Sequence, residues 1–502
     1  MFRYLVKRPL LLCGLIAVLL SLAAYYSYAA VFVSGMILLI LFFWWLASAK
    51  SPGAVVSVGL LFVFCLSLLI TLRHIAALSQ REGSTVEGYF LVAEEPVLHV
   101  SHTSQVLEVV QADDLAVGER IWTVGDLSEA ETGNLIKAQI KFYVPEDFSR
   151  KSGYANGEYL FAEIKQADLK MEEGDFVLCR VRMLRDGIAD MFFDHMGYRE
   201  AATLLAMVTG DRSYISDSFY GLVKQAGVAH VLVVSGMHLT VLVALASRFT
   251  QLLTSKKWAR MLMIAATVLF MATLCGFTKS ILRAGMCYLL YGVSVLFDRE
   301  NTPENTLGAA VLLLLMDQPF SVFSVSFQLS VLSTLGIVAF GLPILRYMEE
   351  TDFLNNRILR YLLSSVVITY SATLFTLPVT AYVFGYVSVV GVLTNLIISP
   401  VVTLALGAAM VMLILGRLFP FSADALFLLP DLLLRYINAV IIRLGSLPFA
   451  SVDTGKSGFV FSLLLLAAGI AILFYFKQKI ERQKKQQMQK KIISETKPRY
   501  RQ

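Results

Sequence analysis

Residues 10–28 read LLLCGLIAVLLSLAAYYSY, residues 31–49 read VFVSGMILLILFFWWLASA, and residues 52–72 read PGAVVSVGLLFVFCLSLLITL. None of the three stretches carries a charge, and each matches the roughly 20 residues of helix that cross a bilayer. The first is not a cleaved leader. Its apolar run is long, it lacks a clear small-x-small cleavage site, and two further spans follow at once. The rest of the chain continues the pattern. Of 502 residues, 57% are hydrophobic and 16% charged, against about 45–50% and about 25% in soluble domains. The chain reads as an α-helical polytopic membrane protein.

Charge divides it into four parts. Residues 1–73 hold five basic and no acidic residues, 74–200 hold 12 basic and 23 acidic, 201–476 hold 16 basic and 12 acidic, and 477–502 hold 10 basic and two acidic. Basic residues flanking apolar helices mark the cytoplasmic side. Arg3, Lys7, Arg8 and the basic tail therefore put both termini inside, and three N-terminal spans put the acidic segment 74–200 outside. That segment alternates like strands at 84–92, 105–110, 136–143 and 176–183, with Gly and Asp punctuation. It predicts a small all-β barrel or sandwich, followed by a helix near 190–207. From residue 228 the chain returns to the membrane, with spans expected at 228–253, 261–277, 281–297, 305–316 (short), 320–345, 361–384 and 458–476. Segment 387–415 is too long for one straight span and contains Pro400, so it is expected to be broken or re-entrant. Segment 430–447 looks amphipathic and interfacial. The count is nine to eleven spans.

Of the five cysteines, only Cys179 lies in the soluble segment, which excludes a disulfide there. No CxxC or Cys/His zinc spacing occurs, so no metal is expected. No cofactor is expected either. Gly455-Lys456-Ser457 looks like the end of a phosphate-binding loop, but the position needing its first Gly is Ala450.

Polar groups inside apolar stretches single out candidate residues. His230, Ser235, Gly236 and His238 sit in one apolar helix, with the histidines eight apart and near one face. Asp211 and Arg212 precede them. Lys279 and Arg283 are i, i+4 at the outer end of a span. Gln328 lies in mid-span, and Asn395 lies in the segment that Pro400 interrupts. Two readings stand for each: groups lining a passage, or packing glue and headgroup snorkelling. In the soluble segment Lys137 and Lys141 share one strand face, as do Arg180 and Arg182. Phe142, Tyr143, Phe148, Tyr154 and Tyr159 lie nearby, either as a stacking surface for nucleic acid or as the domain's core.

In order, these clusters resemble the signatures of the ComEC competence-channel family. Gly210-Asp211-Arg212 followed by His230–His238 is similar to its "GDR … HLLAISGLH". Gly276-Phe277 through Arg283-Ala284 is similar to "TGFSPSVVRA", with Lys279 where proline is usual. Asn305, Gln318-Pro319 and Phe327-Gln328-Leu329-Ser330 match "N … DP … GFQLSF". Pro378 through Gly385, then Leu393-Thr394-Asn395, match "PVTAYYFG … LLANL". The resemblance covers about residues 200–420. It implies a channel for single-stranded DNA in the bacterial plasma membrane, not an enzyme, with an OB-like extracytoplasmic domain at 74–200. The path would be lined by Asp211, Arg212, His230, Ser235, Gly236, His238, Lys279, Arg283, Gln328 and Asn395. The expected partners are a cytoplasmic helicase-like ATPase, a DNA receptor and a separate nuclease. Many family members carry a metallo-β-lactamase-like domain, whereas here 26 residues follow the last expected span and no HxHxDH occurs. A transporter of smaller anions, or a hydrolase using Ser235, remains a reading of the same residues.

Overall fold

The computed structural model describes residues 8–26, 35, 52–93, 97–98, 103–112, 115–125, 132–173, 176–232, 234, 236–298, 302–350, 357–454, 460, 462–469 and 471. The span expected at 31–49, Ser235, the tail and most of 458–476 lie outside the described residues.

Two apolar helices, α1 (Pro9–Tyr26) and α2 (Pro52–Leu78), lead into a β-domain of β1 (Thr85–Val92), β2 (Val97–Leu98), β3 (Thr103–Ala112), β4 (Arg120–Gly125), β5 (Asn134–Phe142), the helix α3 (Asp147–Asn156) and β6 (Leu160–Glu173). The strands order as β1-β5-β6-β4-β3-β2, and an added β1–β3 pairing closes five of them into a barrel. Only β4–β6 is parallel. A register shift between Tyr89 and Phe90 bends β1 so that it pairs on both sides. The alternation in β5 decides what faces in. Ile136, Ala138, Ile140 and Phe142 join Phe90, Leu107, Ile121 and Leu160 in the core, while Lys137 and Lys141 point out. Burying each large apolar side chain contributes about 1.5–3 kcal/mol.

The segment expected as a fourth strand at 176–183 is instead the start of α4 (Phe176–His195). Arg180 and Arg182 therefore do not share a face, because two residues on a helix are roughly 200° apart. Apolar residues at Val177, Cys179, Val181 and Met183 misled the period-2 reading. The single helix expected at 190–207 is two, α4 and α5 (Tyr198–Thr209), broken at Gly197.

The membrane core follows: α6 (Asp217–Gln225), α7 (Ala229–Leu232), α8 (Gly236–Leu253), α9 (Lys257–Leu274), α10 (Lys279–Leu296), α11 (Pro303–Asp317), α12 (Val325–Gly336), a π-turn over Ile337–Gly341, α13 (Leu342–Glu350), α14 (Arg357–Phe384), the short strand β7 (Tyr386–Ser388), α15 (Gly391–Leu418), α16 (Ala423–Gly445) and β8 (Ser451–Asp453), which pairs with β7. Eight helices among the described residues are long and apolar enough to cross a membrane. The protein is a multi-pass membrane protein.

Three expectations are corrected here. Segment 228–253 is not one helix but α7 and α8 separated at 233–235. Segment 387–415 is not broken. α15 runs through Pro400, whose missing donor a packed bundle absorbs. Segment 430–447 is not an interfacial helix, because α16 begins at Ala423 and turns Asp431 and Asn438 into the protein. Asp431 Oδ1 accepts the Gly197 N–H at 3.0 Å, and Asn438 bonds Thr203 and Glu200. Asp431 and Asn438 thus face the α4–α5 turn, while Arg435 and Arg443 stay exposed.

The barrel is bolted to the core. Tyr25, at the end of α1, donates to Asp147 at 2.5 Å and accepts from Arg150 at 3.0 Å. Lys151 pairs with Asp147 at 2.6 Å and lies over the Tyr25, Tyr26 and Phe323 rings. Tyr154 packs on Phe320, their centroids 5.8 Å apart. His74, near the end of α2, pairs with Glu119 at 3.7 Å. At the far end of α1, Arg8 pairs with Glu304 at the start of α11 at 3.1 Å. α1, α2 and α11 therefore run in one direction, each ending near the barrel.

Candidate functional site

The break between α7 and α8 organises the site. Two turns support it. Gly210 ends α5 in the left-handed region at φ 88°, and a Cβ there would meet Val234 inside the break at 3.4 Å. Beyond it, Asp211 Oδ1 accepts the Ser213 N–H at 2.8 Å, and Arg212 donates to the Tyr220 hydroxyl at 2.9 Å, its guanidinium lying over that ring. Gly276 and Phe277 both take positive φ, 67° and 55°. They form a tight turn between α9 and α10, at a cost of about 1 kcal/mol or more for the phenylalanine, and this turn sets the start of α10.

On α10, Arg283 is only 9% exposed. Its Nε donates to Ser330 Oγ on α12 at 2.5 Å, and its side chain also hydrogen-bonds Cys287. Its Nη2 reaches α8: a Cβ added to Gly236 would stand 3.4 Å from that nitrogen and 3.3 Å from Ala284 Cβ. Gly236 therefore lets the first turn of α8 meet the guanidinium. His238, one residue beyond Met237, is fully buried. Among the described residues no carboxylate pairs with Arg283.

A second polar group lies on the other side of the break. His230, on α7, hydrogen-bonds Asn395 on α15. Asn395 in turn donates to Thr369 Oγ1 on α14 at 2.8 Å and accepts from Ser399 at 2.7 Å. By surface area His230 is exposed. His230 and His238 are within electrostatic reach of each other.

The sequence candidates thus separate. Gly236, Arg283 and Ser330 meet, His230 and Asn395 meet, and His238 is buried in the first turn of α8. Asp211 and Arg212 shape a supporting turn away from Arg283. Gln328 donates to Val322 O at 2.9 Å, holding α12 to the preceding Pro319–Phe323 turn, so its amide serves packing. Lys279 begins α10, but its side chain lies outside the described residues, as does Ser235. In the barrel, Lys137 is paired with Glu87 at 2.7 Å, which raises the lysine pKa. Lys141 is exposed. Arg182 donates to Thr132 O at 3.0 Å, a contact that ties α4 to the barrel, and Arg180 lies on a different side of that helix. Phe142 is barrel core, and Tyr154 and Tyr159 pack against the membrane helices, so these three are not a free stacking surface. Burial pushes the Tyr159 phenol up to about 12.

Sequence reasoning missed Ser330 as a site residue, along with Thr369 and the Asp431–Asn438 network. The seven-residue spacing of Asp431 and Asn438 placed both on one face of a helix, and that signal was available. Among the described residues no group of three His, Cys, Asp or Glu side chains gathers to hold a metal.

A family model described as Competence protein matches residues 207–479. ComE operon protein 3 of Bacillus subtilis (strain 168) is 26% identical over 284 residues, 54% of this chain and 32% of that protein. The chain thus spans about a third of the length of this curated relative. No solved structure matches. The family match takes in α8 through α16, with Gly236, His238, Arg283, Ser330 and Asn395, and it extends over more than half of the sequence: this chain belongs to the Competence protein family.

Proposed function

We propose that residues 201–476 form a passage for single-stranded DNA across the bacterial plasma membrane during natural transformation. The observation that carries this reading is Arg283, a buried cation without a carboxylate partner among the described residues, set against a broken helix whose other arm carries the exposed His230. Ionisable groups at membrane depth are costly and mark pathways. A guanidinium at a helix break can meet successive phosphates, while His230 and Asn395 offer uncharged polar contacts. Passage of a polyanion needs contacts weak enough to release, and one arginine held only by neutral partners suits that better than a dense basic lining.

On this reading the barrel is an OB-like domain on the outer side, since the β1-β3-β4-β6-β5 closure with one parallel pair resembles a five-stranded Greek-key barrel. The termini are then cytoplasmic. The chain is not itself an enzyme, and a helicase-like ATPase supplies the work while a receptor delivers DNA and a separate nuclease removes the other strand.

The test is uptake of labelled DNA into a nuclease-protected compartment, in a strain whose own copy is replaced by wild type, Arg283→Ala or His238→Ala at matched membrane levels. Uptake with wild type and its loss in both variants is the expected result. Normal uptake after deletion of the gene, in a cell that takes up DNA, overturns the reading and leaves a transporter of smaller anions in its place.

A further inference from the structure

Residues 210–216, between α5 and α6, are irregular backbone, and Arg212, Ser213, Tyr214 and Ser216 are exposed. Exposed irregular backbone does not face hydrocarbon, so this segment faces water or a water-filled space. Between it and the first two turns of α5 lies a cleft of about 340 Å³, whose lining includes Tyr198, Arg199, Ser213, Tyr214, Ser216 and Phe219. Tyr198 and Tyr214 are 66% and 42% exposed, and both rings rest on Phe193, with centroids 5.2 and 4.9 Å from it. The Arg199 guanidinium lies over the Phe219 ring, 5.7 Å from its centroid. Next along α6, Arg212 and Lys224 lie over the Tyr220 ring at 5.6 and 4.5 Å. Three cations thus rest on two adjacent rings of one short helix. Among the described residues no carboxylate pairs with any of them. The acids of the same stretch are engaged elsewhere: Glu200 accepts from Asn438 and Asp211 from the Ser213 N–H. Asp217 lies in the first turn of α6, where the helix dipole offsets its charge.

Exposed rings, hydroxyls and unpaired cations in a water-facing cleft are the chemistry that takes a base and its phosphate. Rings stack on any base, and cations track the backbone. Small-ligand clefts begin at about 300 Å³, so this one has room for a single nucleotide and not for a duplex. We propose that the cleft holds one nucleotide of a single DNA strand, its base against Tyr198 and Tyr214 and its phosphate on Arg199, while Arg212 and Lys224 take neighbouring phosphates. The segment is continuous with the helix break. Gly210 at its start stands against Val234, and α6 leads through Gly227 into α7, which carries the exposed His230. That the strand moves on from here to Arg283 rests on the passage reading above; the nucleotide site itself does not.

The experiment is equilibrium binding of a fluorescent oligothymidylate to the full chain in nanodiscs of zwitterionic lipid, over a range of salt, with thermal unfolding measured in parallel. Removing one phosphate contact lowers the slope of log K against log salt by about 0.7 on a single strand. Arg199→Gln and Lys224→Gln should each show that change, and Arg248→Gln, at an exposed arginine of α8 outside the cleft, should not. Tyr198→Leu should weaken binding about fivefold or more at every salt concentration, with the slope unchanged. Lys224→Gln and Tyr198→Leu carry the test if Arg199→Gln fails to fold. Thymidine monophosphate should compete at least about tenfold more weakly than the oligonucleotide; equal competition would overturn the strand as occupant. Binding that the cleft variants leave untouched, or a slope that Arg248→Gln lowers equally, overturns the site. A soluble short-chain anionic phospholipid that competes at lower concentration than the oligonucleotide assigns the cleft to a headgroup and also overturns it. Cleft-dependent binding with normal DNA uptake in Arg283→Ala would keep the site and reject the passage. Lost uptake in Arg283→Ala with cleft-independent binding would do the reverse.

Discussion

Replacing Arg283 with methionine separates a functional cation from a structural one. Methionine keeps an unbranched stem and removes the charge. What it loses is the hydrogen bond to Ser330, about 1.5–3 kcal/mol for a charged donor. What it gains is relief from holding a cation among α8, α10 and α12, with about 2.5–3.5 kcal/mol, the cost of an arginine at mid-membrane, as the upper bound for this residue in the second turn of α10. The terms nearly cancel, and replacing buried charge by apolar volume is often neutral or stabilising. Arg283→Met should therefore unfold within about 1 kcal/mol of wild type, on either side, while DNA uptake falls by about tenfold or more. Thermal unfolding of the purified protein in a single detergent reads the first quantity, and uptake at matched expression reads the second. A loss above about 3 kcal/mol, the scale of a broken buried network, would identify Arg283 as glue between helices and refute the argument from uncompensated charge.

Three further outcomes follow from the packing. Gly308→Ala would put a Cβ 2.3 Å from Leu11 Cα and 2.4 Å from Leu10 O. Backbone cannot yield as a side chain does, so α1 must move and unfolding should fall by about 1–3 kcal/mol or more. Gly221→Ala, in α6 with nothing within 4 Å, should instead gain about 0.5–1 kcal/mol, and equal melts would contradict the α1–α11 contact. Asp431→Ala strands the Gly197 N–H and should cost about 1–3 kcal/mol, whereas Asp431→Asn keeps an acceptor and should cost less; identical losses would show that this bond does not hold the turn. At the barrel latch, Lys151, Tyr25 and Arg150 hold the Asp147 carboxyl well below the usual carboxylate range, and Asp147 raises Lys151 in turn. A depressed carboxylate contributes fully above its unfolded pKa of about 4, and a raised lysine contributes fully below its unfolded pKa of about 10. Protease sensitivity of α3 should thus stay flat from about pH 5 to pH 9, and opening within that window would show that another group controls the latch.

Membrane class, the β-domain and most spans were legible because each rests on a local signal: length of apolar run, period-2 alternation, or a basic flank. The errors share one cause. Where a helix breaks, or whether it passes through a proline, depends on neighbours that the sequence does not place. The 228–253 run is mostly apolar, yet its helix is interrupted at Val234, which lies against the Gly210 turn. The Pro400 segment looks interrupted yet continues. The strand expected at 176–183 and the interfacial helix expected at 430–447 failed for the same reason, since only tertiary contact reveals which face is covered. At the site, Arg283 and His238 were legible as rare polar residues in apolar helix. Ser330 was not, because serines are common in membrane helices and only the fold brings this one to the guanidinium.

The family motifs do different kinds of work. The Gly210-Asp211-Arg212 run and the Gly276-Phe277 turn contain polar, strained or charged residues whose contacts fix backbone and the Tyr220 ring. Gln328 holds a turn, and the Pro319–Phe323 turn receives α3 of the barrel. What they fix is one arrangement: a helix forced to restart at Gly236, opposite an arginine that nothing acidic among the described residues neutralises. A bundle built only for stability would satisfy or remove that charge. Several turns, at least one of them strained, instead hold it in place. The barrel, bolted to α1 and to the loop before α12, is mechanically linked to the same helix that carries Ser330.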